Sequence, residues 1–170
     1  RNFLTNSSCG VCGKTSLDSI EVIKKDKLDL SFPSIKEEIV MKSPNLLINK
    51  QSEFAKTGGI HASALIEENG EVVATREDVG RHNALDKLIG HALNNKILDP
   101  KKQFIACSGR LNFELVQKGL MANIGFMAGV GAPTSLAIDL AKRFDMTLLG
   151  FVKEESFNIY SNIKRVIIKN

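Results

Sequence analysis

The sequence has little of what would place the protein outside the cell or in a membrane. Only three of its 170 residues are cysteines, which are too few and too unevenly spaced for a disulfide framework. No apolar run approaches the roughly 20 residues that cross a bilayer, and no signal-peptide pattern follows the first residue, Arg1. We therefore expect a cytoplasmic protein without a membrane partner, and a chain that is a fragment or has been trimmed.

A strong excess of one charge is also missing. The chain carries 23 basic and 19 acidic side chains, which gives a net charge of +4. A balance this mild permits an anionic ligand, but nucleic-acid binding usually needs a concentrated basic face. The sequence therefore allows an anionic small molecule and predicts no nucleic-acid partner.

What is present is an alternation of short apolar strands with amphipathic helices, which is typical of an α/β domain. Asn69-Gly70 predicts a hairpin turn with a return strand at 71–75, so the sheet should be mixed. Residues 1–31 are predicted to form a flexible lead, and residues 32–170 a single α/β domain. Helices are expected at 34–42, before a Gly58-Gly59 turn, and at 84–93, 115–120 and 136–143; strands are expected at 60–66, 104–107, 124–130, 147–152 and 157–160.

Three of the predicted strand ends combine glycine with polar or basic residues. They are the stretches 77–81, 108–110 and 131–135. Two of them lead directly into predicted helix starts, where free backbone N–H groups bind anions. Convergence of the three ends on one edge of the sheet would suit a phosphate-bearing ligand.

Cys9 and Cys12 form a C-x-x-C pair flanked by glycines. A structural zinc site needs about four ligands, and the remaining cysteine and histidines show no second paired spacing. A thioredoxin-like dithiol normally sits at a helix start after a strand, whereas this cysteine pair lies in the glycine-flanked lead. An exposed thiolate that acts as a nucleophile or sulfur carrier fits the flexible surroundings best, because we expect a mobile loop at 6–14 and Lys14 would favour the thiolate. Taken alone, the C-x-x-C pair leaves the three interpretations open.

Single residues elsewhere have ordinary explanations when taken alone. His61 is consistent with a packed or surface histidine, and Arg81 and Arg110 with surface charges. His82 lies four residues before Asp86, the spacing of a local pair on one helix face. Cys107 lies in a buried apolar strand and is most simply an inert core thiol.

The residues occur together in six motifs. They are SSCGVCG at 7–13, TGGIHASAL at 57–65, EDVGRHNALDKLIG at 77–90, SGRLNFELVQK at 108–118, APTSLAIDLA at 132–141 and TLLGFVK at 147–153. In these motifs and their order the chain resembles the formate dehydrogenase accessory protein family (FdhD). The resemblance covers most of the chain, and the fourteen-residue block at 77–90 is highly specific.

The resemblance implies a fold and a function. The fold would be a three-layer α/β sandwich with a mixed sheet, similar to cytidine deaminases, and the protein a homodimer. Such proteins act as sulfurtransferases: they take sulfur as a persulfide from a cysteine desulfurase and pass it to the molybdenum cofactor, bis-molybdopterin guanine dinucleotide, for formate dehydrogenase. The persulfide-forming residue maps to Cys9, with Cys12 as its partner.

The cofactor-binding stretch of the family maps to Phe151, Val152, Lys153, Glu154, Glu155 and Ser156. We expect the guanine-nucleotide end, which GDP-like nucleotides would mimic, along the three strand ends and Phe151. Arg81 or Arg110 would face phosphate, and Thr134 and nearby N–H groups would supply neutral donors. His61 would lie where the Cys9 loop closes over the ligand, and no metal site is predicted.

Two departures from the family and two alternative functions accompany this interpretation. The family's N-terminal region is largely absent here, and Glu154-Glu155 is acidic where relatives often carry small or basic residues. A non-catalytic chaperone for the molybdenum cofactor is the main alternative. A zinc deaminase would need H-x-E, but the sequence reads His61-Ala62-Ser63.

Overall fold

The computed structural model describes residues 32–169, and it builds them as alternating strands and helices. The helices are α1 (Glu37–Ile48), α2 (Ser52–Thr57), α3 (Arg81–Asn94), α4 (Phe113–Met121) and α5 (Ser135–Arg143). The strands are β1 (Ile35–Lys36), β2 (His61–Glu67), β3 (Val72–Asp78), β4 (Gln103–Cys107), β5 (Phe126–Gly129), β6 (Thr147–Gly150), β7 (Asn158–Ser161) and β8 (Val166–Ile167), the last preceded by a 3₁₀ turn, Ile163–Arg165.

Some of the predictions fall outside this part of the chain. The lead 1–31, with Cys9, Cys12 and the predicted loop 6–14, lies outside the described residues, and the boundary at residue 32 stays a prediction. Between residues 32 and 169, none of the helices combines the length and apolar character needed to cross a membrane.

Six strands form one mixed sheet in the order β3-β2-β4-β5-β6-β7. Neighbours β4, β5 and β6 are parallel, whereas β2 runs antiparallel to both β3 and β4, and β7 runs antiparallel to β6. The start of β2 and the ends of β3, β4, β5 and β6 therefore lie at the same edge of the sheet. A separate two-stranded parallel sheet joins β1 to β8.

Two apolar cores lie on opposite faces of the sheet. On one face, α3, α4 and α5 pack against strand residues such as Ile105 and Met127. On the other face, α1 and the β1–β8 pair cover Phe104 and Phe126, whose rings meet edge to face at 5.4 Å. Because side chains alternate along a strand, β4 contributes residues to both cores. The predicted three-layer sandwich is confirmed.

The first helix differs from the prediction. Instead of 34–42, α1 runs over Glu37–Ile48 and continues through Pro44. Proline lacks the N–H that would donate to the carbonyl four residues earlier, but the Ser43 hydroxyl donates to Val40 O at 2.7 Å and satisfies that carbonyl. The second helix, α2, begins only at Ser52, because Leu46 and Leu47 belong to α1, and it ends at Thr57. Gly58 follows it with φ 67°, as predicted for a glycine turn.

The ends of two strands also differ from the predicted ends by a few residues. The hairpin at Asn69-Gly70 is confirmed, but its return strand extends to Asp78 because Glu77 and Asp78 pair with Ala62 and His61. By contrast, β6 is shorter than predicted: it ends at Gly150, two residues before the predicted end. Phe151 has φ 53°, a left-handed backbone conformation that a strand cannot contain.

Gly131 allows two loops at the shared edge to touch. A Cβ at this position would lie 2.7 Å from the Arg110 backbone nitrogen, closer than real Cβ atoms approach. We expect Gly131→Ala to lower the free energy of unfolding by about 1–3 kcal/mol, since the backbone must move to relieve the clash.

Urea unfolding followed by circular dichroism measures this change, and Gly90 provides the matched control. A Cβ at Gly90, inside α3, meets nothing within 4 Å, so Gly90→Ala should raise stability by roughly 0.5–1 kcal/mol. Equal effects of the two substitutions would contradict the close approach at Gly131.

Candidate functional site

The shared edge of the sheet is extended by backbone hydrogen bonds beyond the strands themselves. Gly131 N–H donates to Gly109 O at 3.2 Å, Leu111 N–H to Ala132 O at 3.1 Å, and Phe151 N–H to Gly131 O at 3.3 Å. These bonds tie the loops after β4, β5 and β6 side by side. The predicted convergence of the strand ends is therefore present in the structure.

Three helices begin at this edge. α3 begins directly at Arg81, Asn112 caps α4 by accepting a hydrogen bond from Leu115 N–H at 3.2 Å, and Thr134 caps α5 by accepting one from Ala137 N–H at 3.3 Å. The first N–H groups of a helix have no partner inside it and carry its positive dipole end. The edge is thus electropositive even before side chains are counted.

Arg81, Arg110, Asn112 and Thr134 line a small pocket of about 70 Å³. Arg81 Nε is buried and has no hydrogen-bond partner within residues 32–169. An unpaired buried donor carries a desolvation cost, and here it belongs to a guanidinium that lines the pocket. Three of these residues were predicted from the sequence, whereas Asn112 was missed; its position before a helix pattern was the available signal.

His61 lies beside this pocket at the start of β2. Its Nδ1 is 3.3 Å from Ser108 Oγ, which itself accepts a hydrogen bond from Ala62 N–H at 2.9 Å. Burial lowers the pKa of His61 below its ordinary value of 6.5, and the charge of Arg81 lowers it further. The imidazole is therefore neutral at pH 7 and can accept or donate one hydrogen bond.

The carboxylates of the 77–81 stretch have structural partners instead of facing the pocket. Glu77 accepts hydrogen bonds from Glu53 N–H and Phe54 N–H, and so caps α2. Asp78 bonds the Lys87 ammonium and Gly80 N–H, and these contacts hold its pKa at about 2. Of this stretch, Arg81 is the residue that lines the pocket.

The residues of the predicted cofactor-binding stretch, 151–156, differ in their exposure and in their contacts. Phe151 is half-exposed at the edge, whereas Val152 is buried in the core beneath α1. Lys153 N–H donates to Ser156 O at 2.8 Å, and Glu154 accepts a hydrogen bond from Asn45 at 2.5 Å. The side chain of Val152 is therefore unavailable to a ligand, and Glu155 and Ser156 are exposed.

A separate cleft of about 400 Å³ lies on the α1 side of the same edge. Its walls include Ile48, Phe54 and Val130, and His61 and Ser108 are among its polar lining groups. No signal in the sequence identified this cleft, because it forms between α1, α2 and the ends of β4 and β5.

Two predictions made for single residues have different outcomes. Cys107 is buried, with its Sγ 3.6 Å from Ser63 Oγ, and burial raises its pKa to about 11; it is the inert core thiol that was expected. The pairing of His82 with Asp86 was wrong. His82 Nε2 lies 3.0 Å from Glu114 Oε2 and Asp86 pairs with Lys118, because α3 packs against α4.

We expect an NMR titration to give His61 a midpoint below 6.5, since burial and Arg81 both disfavour its protonated form. Arg81→Gln should move that midpoint upward. A folded-state pKa below the unfolded value means that His61 contributes stability above pH 6.5, and that this contribution is lost as the pH falls through the folded pKa. A midpoint at or above 6.5 would show that the ring is not in this environment.

Comparison with known proteins places these features in a family. The FdhD/NarQ family model matches residues 1–167. The sulfur carrier protein FdhD of Streptomyces coelicolor is 45% identical over 170 residues, which is 99% of this chain and 60% of that protein. The protein of the same name from Picrophilus torridus is 41% identical over 167 residues, covering 98% of this chain and 63% of the relative. The chain thus spans about three fifths of the length of these relatives.

Solved structures agree with the family match. A crystal structure described as a putative formate dehydrogenase accessory protein, from Desulfotalea psychrophila, has a TM-score of 0.74 at 25% identity over 84% of this chain and 62% of its own. A diaminohydroxyphosphoribosylaminopyrimidine deaminase/5-amino-6-(5-phosphoribosylamino)uracil reductase from Thermotoga maritima has a TM-score of 0.51 at 11% identity, over 70% of this chain and 38% of its own, and shows the fold alone. On the family match and these relatives, the chain belongs to the FdhD/NarQ family.

Proposed function

We propose that this chain is the sulfur-carrying part of a protein that takes sulfur from a cysteine desulfurase and passes it to the molybdenum cofactor for formate dehydrogenase. The names of the curated relatives support the sulfur-carrier role. The observation that carries the cofactor assignment is the electropositive edge, where Arg81, Arg110 and three helix starts meet.

In this proposal, the bis-molybdopterin guanine dinucleotide is cargo, held through its phosphates. Arg81 and Arg110 supply charge-assisted hydrogen bonds, which are about twice as strong as neutral ones. Thr134 supplies a hydroxyl proton, because its oxygen already accepts from Ala137 N–H. Phe151, held at the end of β6 in a left-handed conformation, offers a half-exposed aromatic face to a ring of the cargo.

Sulfur transfer in this scheme needs no external oxidant. The Cys9 thiolate attacks the terminal sulfur of the desulfurase persulfide; a new S–S bond forms on Cys9, the S–S bond of the donor breaks, and the donor cysteine leaves as a thiolate. Such exchange requires reduced thiols, which is consistent with a cytoplasmic setting. We propose that Cys12 is the second thiol of the site and that the protein acts as a homodimer.

A chaperone without sulfur chemistry remains the second candidate, because Arg81, Arg110, Asn112 and Thr134 line a pocket whose charge and hydrogen-bond donors suit phosphate binding by themselves. It would hold or protect the cofactor by the same phosphate contacts. The two proposals differ only in what Cys9 does.

Cys9 should carry the sulfur after incubation with a cysteine desulfurase and cysteine. We expect mass spectrometry to find one reducible sulfur adduct, and peptide mapping to place it on Cys9. Cys107 serves as the internal control: its buried thiol, with a pKa of about 11, has almost no thiolate at pH 7 and should stay unmodified. An adduct on Cys107 alone would rule out the assignment, and full activation of formate dehydrogenase by Cys9→Ala would favour the chaperone.

Arg110 should contribute to binding of a nucleotide diphosphate. GDP titrated into the protein by calorimetry should bind, and Arg110→Ala should weaken that binding by roughly 10-fold or more, since one charge-assisted contact is worth about 1.5–3 kcal/mol. Arg143→Ala is the matched control, because Arg143 lies at the opposite end of α5. Unchanged affinity in both Arg110→Ala and Arg81→Ala would refute the phosphate site.

A further inference from the structure

Ser108, the residue that follows β4, is held against β2 from two directions. Its backbone N–H donates to Ala62 O at 3.0 Å, and its Oγ accepts a hydrogen bond from Ala62 N–H at 2.9 Å. The regular pairing of the two strands ends with Ser63 opposite Cys107, so the Ser108 hydroxyl continues the ladder in place of a backbone carbonyl. The main chain therefore fixes the position of Oγ and uses one of its lone pairs.

The hydroxyl proton of Ser108 then has one acceptor within reach, which is His61 Nδ1 at 3.3 Å from Oγ. The pKa of His61 lies below its ordinary value of 6.5, so at pH 7 one ring nitrogen carries a proton and the other accepts. If Nδ1 carried the proton and donated it to Oγ, the hydroxyl proton would have no acceptor within residues 32–169. Donation from Ser108 to Nδ1 leaves neither group unsatisfied, and half-buried polar groups favour that arrangement.

An Nδ1 that accepts places the ring proton of His61 on Nε2. Nε2 has no hydrogen-bond partner in the described part of the chain, and it is not one of the fully buried polar atoms that lack a partner. The opposite edge of the ring lies against Gly109, where a Cβ would be 3.2 Å from both Nδ1 and Cε1. Nε2 is therefore the nitrogen that another molecule can reach.

We infer that Ser108 is a positioning residue, which holds His61 as the Nε2–H tautomer so that His61 acts as a hydrogen-bond donor and not as a base. For the use of this donor the inference rests on the proposed function, in which sulfur is carried as an anionic thiolate or persulfide. A neutral N–H donor stabilises such an anion and moves no proton. Its role is thus distinct from that of Arg81 and Arg110, whose charges are assigned to phosphate.

The ¹⁵N NMR signals of the His61 ring test the tautomer, because a protonated ring nitrogen and an unprotonated one have well-separated shifts. At neutral pH the wild type should show a protonated Nε2 and an unprotonated Nδ1. Ser108→Ala should give a mixture of both tautomers, and Ser108→Thr, which keeps the hydroxyl, should restore the wild-type pattern. Ser63→Ala is the matched control, since this β2 serine contacts Cys107 and should leave the pattern unchanged. A wild-type ring protonated at Nδ1, or no change in Ser108→Ala, would overturn the inference.

Activation of formate dehydrogenase tests what the donor does. Ser108→Ala should lower it about 2–10-fold, the equivalent of one neutral hydrogen bond, and Ser108→Thr should recover the loss. His61→Gln keeps an N–H donor without a basic nitrogen, so it should lose less activation than His61→Leu, and equal losses would rule out the donor role. If Cys9→Ala abolishes activation and Ser108→Ala leaves it unchanged, this inference fails while the proposed function stands. Full activation by Cys9→Ala overturns both.

Discussion

Close backbone approach at the ends of β4, β5 and β6 determines where every other part of the site lies. The loops after these strands hydrogen-bond to one another, and Gly131 leaves space where any Cβ would overlap the backbone of Arg110. That contact fixes the direction in which Arg110 leaves the sheet, and the neighbouring bond from Thr134 N–H to Leu111 O fixes the start of α5. A pocket of this kind is positioned by main-chain geometry, and side chains then supply its chemistry.

The second organising feature is a separation of charge along the edge. The two carboxylates of the 77–81 stretch are engaged elsewhere, since Glu77 caps α2 and Asp78 is bound to Lys87. They therefore leave the cationic character of Arg81 and Arg110 largely uncompensated at the pocket. His61, kept neutral by burial and by Arg81, stands at the boundary with the uncharged cleft.

Local sequence signals predicted most of this arrangement. Asn69-Gly70, the glycines at strand ends and the helix starts near Arg81 and Thr134 act over a few residues, and pattern reasoning identifies such features. Features that depend on contacts between distant segments were missed. The continuation of α1 through Pro44 depends on the neighbouring Ser43. His82 pairs with Glu114 instead of Asp86 because α3 packs against α4. The unpaired amide of Gln51 is visible only in three dimensions.

Residue-resolved NMR tests most directly whether the shared edge of the sheet binds the ligand. Backbone ¹H–¹⁵N spectra recorded during addition of GDP should show the largest shifts in 109–111, at Arg81, in 131–135 and at Phe151. The groove between α3 and α4, lined by Leu93 and Met121, should show little change. Shifts concentrated in that groove, with the strand ends unperturbed at saturating GDP, would contradict the account.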